Sequence, residues 1–224
     1  MESKIAVLGL IVAALIWSIT GVSYKVFESV GIPLFFTFWV LVIFRFISVW
    51  FISDYKGIKH ELVTDLKELR MIGLNSLFAL GTPVFFILAI TNISVPDAYF
   101  LVYTAPAWVL ILSIFLLGEK ISLKKISGLA LTLIGIYLIA HPENIFELNI
   151  GFLFALAAAF TYSGDIITGR ELKDYSFHTV AIYASGFQTI VLTFFVFFYF
   201  GIPPLENSLF YLGIIALLGL FRGV

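Results

Sequence analysis

Residues 191–200 read VLTFFVFFYF, a run in which Thr193 is the one side chain that is neither aromatic nor aliphatic. A strand of a membrane-spanning barrel would alternate apolar and polar residues over about ten positions. This run does not alternate, and in lipid only helices and closed barrels satisfy the backbone hydrogen bonds. The stretch therefore predicts a helix that crosses a membrane.

The composition of the whole chain agrees with a lipid environment. Of the 224 residues, 61% are hydrophobic and 12% are charged, whereas a soluble domain is about half apolar and about a quarter charged. So few polar residues cannot cover a water-soluble globule. We therefore expect the lipid bilayer to be the chief partner of the chain.

Several functional classes lack the residues that they require. The chain has no cysteine, which excludes disulfides, thiolate metal sites and cysteine nucleophiles. The three histidines have no metal-ligand spacing, no basic tract suggests a nucleic-acid partner, and no phosphate-binding loop occurs. An intramembrane enzyme would need a nucleophile with a base, or paired aspartates, at membrane depth. We therefore predict a protein that is not an enzyme and has no metal or cofactor.

Seven segments are long and apolar enough to span a membrane, which takes roughly 20 residues. The sequence predicts an all-α polytopic membrane protein with spans at 5–26, 32–52, 71–91, 96–117, 123–141, 149–169 and 177–200. An eighth span begins near Ser208 and is cut off at Val224. The leucines of residues 61–70 recur at helical spacing, which predicts a separate short helix on the membrane surface.

Basic residues lie on alternate connections between these spans. One side of the membrane receives Lys4, Lys56, Lys59, Lys67, Arg70, Lys120, Lys124, Lys125, Arg170 and Lys173. The other side receives Lys25, while Arg45 and Arg222 lie within apolar segments. Since connections rich in Lys and Arg stay in the cytoplasm, we expect a cytoplasmic N-terminus. From the fold class we expect a multi-pass protein of the plasma membrane.

The sequence also contains a weak internal repeat. A shift of 145 positions places Trp17 and Ser18 on Tyr162 and Ser163, and a shift of 143 places the second span on the seventh. Five spans separate the paired segments, so the two copies start on opposite sides of the membrane. This arrangement is typical of the inverted repeats of secondary transporters. We expect a first repeat over residues 1–141 and an incomplete second repeat over residues 149–224.

The order and spacing of short motifs resemble a known family. The motifs are ALIWS at 14–18, Gly81-Thr82, Ala105-Pro106, LGEK at 117–120, LIG at 133–135 and Gly169-Arg170. Together they resemble the EamA-type permeases of the drug/metabolite transporter superfamily. The resemblance implies ten helices in two inverted repeats, and a secondary transporter of small metabolites. Within that class it implies export of amino acids or related metabolites by alternating access.

The chain departs from that family pattern at its C-terminus, where it stops inside the eighth span. The alternative reading is therefore an inactive fragment, or a membrane accessory subunit that does not transport alone. A homodimer would be one way for such a chain to complete itself.

Asp165 is the most informative candidate site residue, because it is the only acid well inside a span. A carboxylate at this depth costs about 2.5–3.5 kcal/mol on insertion scales, so it normally faces a cavity or a partner. It could bind a substrate amine or a proton, or it could be a hydrated interfacial residue near Arg170. The full set of substrate-cavity candidates is Trp17, Asn75, Tyr99, Tyr103, Tyr162 and Asp165.

Two further charged residues are candidates for a structural role. Arg45 could bind a carboxylate or pair with Asp165, or it could reach the lipid phosphates at the cytoplasmic surface. Glu119, next to Lys120, closes the fourth span, where the resemblance implies ion pairing at the helix end.

Overall fold

A computed structural model describes residues 2–55, 57, 63–118, 122–140, 149–200, 202 and 209–222, and within these ranges it is helical, with no strand. The helices are α1 (Glu2–Ser29), α2 (Leu34–Tyr55), α3 (Leu66–Ile90), α4 (Val95–Val102), α5 (Ala105–Leu117), α6 (Leu123–Ala140), α7 (Ile150–Glu171), α8 (Phe177–Phe195) and α9 (Leu209–Phe221). A π-helical turn, Val196–Phe200, continues α8.

Six helical segments are long and apolar enough to cross a membrane. They are Ile11–Ser29, Leu34–Tyr55, Leu66–Ile90, Val95–Phe115, Ile150–Glu171 and Phe177–Tyr199. The prediction of a polytopic helical membrane protein is therefore confirmed. Helix α6 covers the predicted fifth span but is not among these six, and the apolar helix at the predicted eighth span is short. The count of seven complete spans and the start of an eighth stays a prediction, as does the inverted repeat.

The prediction of a separate surface helix over residues 61–70 is wrong from Leu66 onward. These residues form the beginning of α3, because Asp65 caps it by accepting a hydrogen bond from the backbone N–H of Lys67 at 2.9 Å. Glu68 lies in the first turn, where a negative charge is favourable. The helix therefore starts at this cap and continues into the span. Residues 61 and 62 lie outside the described residues.

The predicted fourth span, 96–117, is interrupted at Tyr103 and Thr104, where α4 ends and α5 begins. Pro106 has no N–H for the carbonyl of Val102, and its ring disfavours the helical conformation of the preceding residue. In contrast, Pro83 lies inside the continuous helix α3. The two prolines thus have different consequences for the backbone.

The chain divides into two compact units. The first unit, Met1–Leu62 with Phe177–Val224, contains α1, α2, α8 and α9; the second, Val63–Ser176, contains α3 to α7. In the first unit α2 packs against α8 and α9. A Cβ atom on Gly219 of α9 would lie 2.7 Å from the carbonyl oxygen of Leu41, so the two backbones approach closely there.

Candidate functional site

Helices α3 and α7 form the main helix pair of the second unit and run antiparallel. Asn149, before α7, donates a hydrogen bond to the carbonyl of Asn92, after α3, and at the other end the Tyr175 hydroxyl donates to the Glu68 carboxylate. Each helix is therefore joined to its partner at both ends.

Glycines bring these two helices into close contact along their length. A Cβ atom on Gly164 would lie 2.7 Å from the ring of Phe78, and one on Gly81 would lie 2.9 Å from Cγ2 of Thr161. Small residues allow helix backbones to approach closely in membranes. As a result, short polar side chains can reach directly from one helix to the other.

The central polar contact of this pair joins Asn75 on α3 to α7. Its Nδ2 atom donates to Oδ1 of Asp165 at 2.8 Å, to the backbone carbonyl of Asp165 at 3.0 Å and to the Thr168 hydroxyl at 3.0 Å. The Thr168 hydroxyl in turn donates to the carbonyl of Gly164 at 2.7 Å, so its oxygen is correctly oriented to accept from Asn75. Two amide protons thus serve three acceptors, which fixes the Asp165 carboxyl group relative to α3.

One tyrosine adjoins this carboxyl group, and a second tyrosine adjoins the first. The Tyr162 hydroxyl interacts electrostatically with the Asp165 carboxylate and with Tyr103. The ring of Tyr103 stacks on that of Tyr99, with centroids 5.6 Å apart, and Tyr99 in turn packs on Phe86 at 4.8 Å. An aromatic row therefore leads from the second unit's α4 to the acid on α7.

We call Asn75, Tyr103, Tyr162, Asp165 and Thr168 the Asp165 cluster. Its amide and threonine are buried, with 3% and 6% of their surface exposed, whereas Tyr103 is 41% exposed. Asp165 and Tyr162 are half-buried. The cluster thus has a buried polar part, formed by Asn75 and Thr168, and a more accessible part in which the Asp165 carboxylate adjoins Tyr162.

A second polar contact continues along the same helix pair. The Thr82 hydroxyl on α3 donates to the Thr161 hydroxyl at 3.2 Å. Thr161, Asp165 and Thr168 follow one another at i, i+4 and i+7, so they share one face of α7. Hydrogen bonds of this kind also hold membrane helices together, so this face of α7 serves packing as well as presenting the acid.

Comparison with known proteins identifies the class of molecule to which this helix pair belongs. The model of the EamA-like transporter family matches residues 4–141, more than half of the chain. The chain belongs to the EamA-like transporter family. Among curated proteins, this EamA-like chain is 32% identical over 152 residues to an uncharacterized transporter of Archaeoglobus fulgidus.

That alignment covers 65% of the EamA-like chain and 55% of the relative, so the chain spans little more than half the length of the protein it matches. No solved structure matches the chain. The family and the relative both point to a transporter rather than an enzyme.

Most sequence-predicted site residues of the EamA-like chain lie in the second unit. Asn75, Tyr99, Tyr103, Tyr162 and Asp165 meet there through the contacts given above, and their role in substrate binding stays a prediction. Trp17 lies in the first unit, 37% exposed, with the Arg222 guanidinium carbon 5.4 Å from its ring centroid.

The two charged candidates are placed differently. Arg45 is half-buried in the interior of α2. Glu119 and its neighbour Lys120 lie outside the described residues, so their predicted pairing stays a prediction. Within the described ranges, no three His, Asp or Glu side chains come together in a way that could hold a metal ion.

Two residues of α7 in this EamA-like chain, Thr168 of the cluster and Ser163, contact neighbouring helices and are not among the residues that the sequence predicts for the site. Thr168 lies three positions after Asp165, so helical spacing could have placed it beside the acid. Ser163 donates to the carbonyl of Ala105, at the start of α5, at 2.9 Å. That contact joins helices far apart in sequence, and no local pattern reveals it.

Proposed function

We propose that this protein moves a small metabolite across the membrane as a secondary transporter, and that the Asp165 cluster is part of its substrate site. The observation that carries the proposal is the carboxyl group of Asp165, which lies within a spanning helix and is held by a buried amide of the neighbouring helix. An acid at such a position normally serves a substrate or ion path. Family membership supports the same function.

The proposed mechanism is alternating access, in which the site opens to one side of the membrane at a time. The interruption of the fourth span at Tyr103 and Thr104 supports it, because α4 and α5 can change their mutual angle without breaking a continuous helix. Discontinuous helices also lie at the substrate sites of other secondary transporters. Tyr103, at this interruption, belongs to the Asp165 cluster.

The finer parts of the proposal rest on the sequence. Export of amino acids or related metabolites follows from the resemblance, and the repeats 1–141 and 149–224 follow from the internal similarity. The location in the plasma membrane, with a cytoplasmic N-terminus, follows from the fold class and the basic connections. The homodimer is part of the same proposal, and light scattering of the purified protein in detergent tests it.

Metabolite efflux from cells tests the proposed function. Cells that express the wild-type chain, Asp165→Asn or Asp97→Asn at equal membrane levels are loaded with an isotopically labelled amino-acid mixture. The medium is then analysed by mass spectrometry. We expect at least one labelled compound to leave faster with the wild type and Asp97→Asn than with Asp165→Asn or an empty vector.

Asp97 is a suitable control because it is also a helix-borne aspartate of the second unit, but it bonds locally to Ser94 at the start of α4. If no compound leaves faster with the wild type than with the empty vector, the proposed export is wrong. If the wild type and Asp165→Asn export a compound equally, the assignment of Asp165 to the substrate site is wrong, and equal export at all external pH values also excludes a proton-binding role of Asp165 in transport.

A further inference from the structure

We propose that the Asp165 cluster binds the ammonium group of its substrate, so that the site takes compounds with a protonated amine and discriminates against compounds of the same shape that lack one. The inference deepens the proposed function, since it names the substrate class of the same site. Binding and transport are nevertheless separate measurements, so either statement can fail without the other.

The charge distribution of the second unit supports a cationic ligand. Asp165 is the one ionisable carboxylate of the cluster, and it lies six positions before the end of α7. The described cations of this unit occupy helix ends or connections: Lys67 and Arg70, Lys124 and Lys125, Arg170, and Lys173. An ammonium group beside Asp165 would be attracted, whereas a carboxylate there would be repelled, and the low dielectric of the membrane interior strengthens both effects.

Arg170 is the cation closest to Asp165 along α7. Five positions of an α-helix correspond to about 7.5 Å of rise and about 140° of rotation. Arg170 is exposed in the last turn of the helix. The side chains of Asp165 and Arg170 therefore leave α7 in different directions.

The aromatic residues of the cluster suit a cation as well. Tyr162 adjoins the acid, Tyr103 adjoins Tyr162, and Tyr103 in turn stacks on Tyr99. Aromatic faces attract ammonium groups, and the attraction is stronger where water is excluded. A carboxylate together with tyrosine rings is thus complementary to an amine that carries an apolar group.

Asn75 acts as a positioning residue in this scheme. Its side-chain amide donates hydrogen bonds to the Asp165 carboxyl group, the Asp165 backbone carbonyl and the Thr168 hydroxyl. These bonds limit the rotation of the carboxyl group. A preoriented carboxylate loses less entropy when the cation binds. We expect Asn75→Ala to weaken cation binding without removing the preference for positive charge.

Three probes of similar size and different charge measure the preference: benzylammonium, benzyl alcohol and benzoate. Their dissociation constants are measured on the purified full chain in nanodiscs for the wild type, Asp165→Asn and Asp97→Asn. We expect the wild type and Asp97→Asn to bind benzylammonium at least about tenfold more tightly than benzyl alcohol or benzoate, as charge-assisted hydrogen bonds do. We expect Asp165→Asn to bind benzylammonium and benzyl alcohol equally.

The wild type alone is decisive if Asp165→Asn fails to fold. Equal binding of the three probes by the wild type, or binding of none, overturns the inference. Asp165→Glu provides a second variant, because it keeps the charge and should keep the preference for benzylammonium with altered affinity. A purely structural aspartate would change the unfolding temperature of its variants and leave the probe preference unchanged.

Comparison with the efflux assay separates the two proposals. Charge-selective binding without efflux of any compound contradicts transport by this chain and supports the cationic site. Efflux that depends on Asp165 but is inhibited equally by benzylammonium and benzoate supports transport and overturns the cationic site.

Discussion

The Nδ2 atom of Asn75 lies 2.8 Å from Oδ1 of Asp165, although the two residues are 90 positions apart in the chain. This hydrogen bond crosses between two membrane-spanning helices, and its donor is almost fully buried. Because the amide is buried and lipid offers it no hydrogen-bond partner, the bond serves both the packing of α3 on α7 and the orientation of the acid.

Removal of the Asn75 amide should destabilise the second unit. We expect Asn75→Ala to lower the free energy of unfolding by about 1 kcal/mol, the size of interhelical hydrogen bonds in membranes. Unfolding in mixed micelles with increasing denaturing detergent measures it. Ser76→Ala is the matched control, because Ser76 is equally buried but donates to Ile72 of its own helix.

A double-mutant cycle with Asp165→Ala isolates the contact between the two side chains. The combined loss should be smaller than the sum of the single losses, because Asn75→Ala removes the donor and Asp165→Ala removes the acceptor of the same hydrogen bond. Strict additivity would contradict a direct interaction.

A side chain at Gly164 should separate α3 from α7. A Cβ there would lie 2.7 Å from the Phe78 ring, so we expect Gly164→Ala to lower stability by about 1–3 kcal/mol, as overpacking does. Gly73→Ala on α3 is the control, since nothing lies within 4 Å of its added Cβ. Phe78→Leu should partly restore the stability of Gly164→Ala, and the absence of any rescue would contradict the proposed clash. Thermal unfolding in detergent measures all four proteins.

The helix interruption in the fourth span should matter for transport. Pro106→Ala restores an N–H for the carbonyl of Val102, and a proline inside a helix costs about 3 kcal/mol. We expect the variant to be more stable than the wild type and to export its substrate more slowly, because α4 and α5 would join into one stiff helix.

Pro83→Ala is the control for this prediction, since Pro83 lies within a helix that is already continuous. It should change the efflux rate less than Pro106→Ala does. Unchanged or faster efflux by Pro106→Ala would show that the interruption is not a hinge.

The orientation in the membrane can be tested directly, because the chain has no native cysteine. Asn92 and Asp174 are exposed residues in different connections of the second unit. Asn149 bonds to Asn92 at one end of α7, so Asp174, which follows the other end, should lie on the opposite side of the membrane. With the basic connections inside, we expect an impermeant thiol reagent to label Asn92→Cys in intact cells, and Asp174→Cys only after permeabilisation. The reverse labelling pattern would invert the topology.

Several features of the fold and the site follow from local sequence alone. Hydropathy predicts the spanning helices because burial of apolar side chains in lipid does not depend on which helix is the neighbour. Asp165 is recognisable as unusual for the same reason, since a charge at membrane depth is costly in any arrangement. The aromatic residues Tyr99 and Tyr103 share a helix face, and their stacking follows from that spacing.

Other features depend on contacts between distant segments. One local feature was also predicted wrongly, the start of α3, because the leucine spacing of residues 61–70 fits a separate surface helix as well as the first turns of a span. The interruption of the fourth span is not predicted by hydropathy, because residues 96–117 form one apolar stretch. Its position at Tyr103 also reflects Ser163, which bonds to the first residue of the next helix.

The sequence by itself determined that this chain is a helical membrane protein, that its acid lies within a span, and that its motifs resemble those of EamA-type permeases. These properties depend on the solvent around each helix and on residue order. Only the tertiary structure decided that Asn75 is the partner of Asp165 and that glycines bring α3 against α7. Helix pairing within lipid is set by the fit of small surfaces and by single hydrogen bonds, which the hydropathy of one helix does not encode.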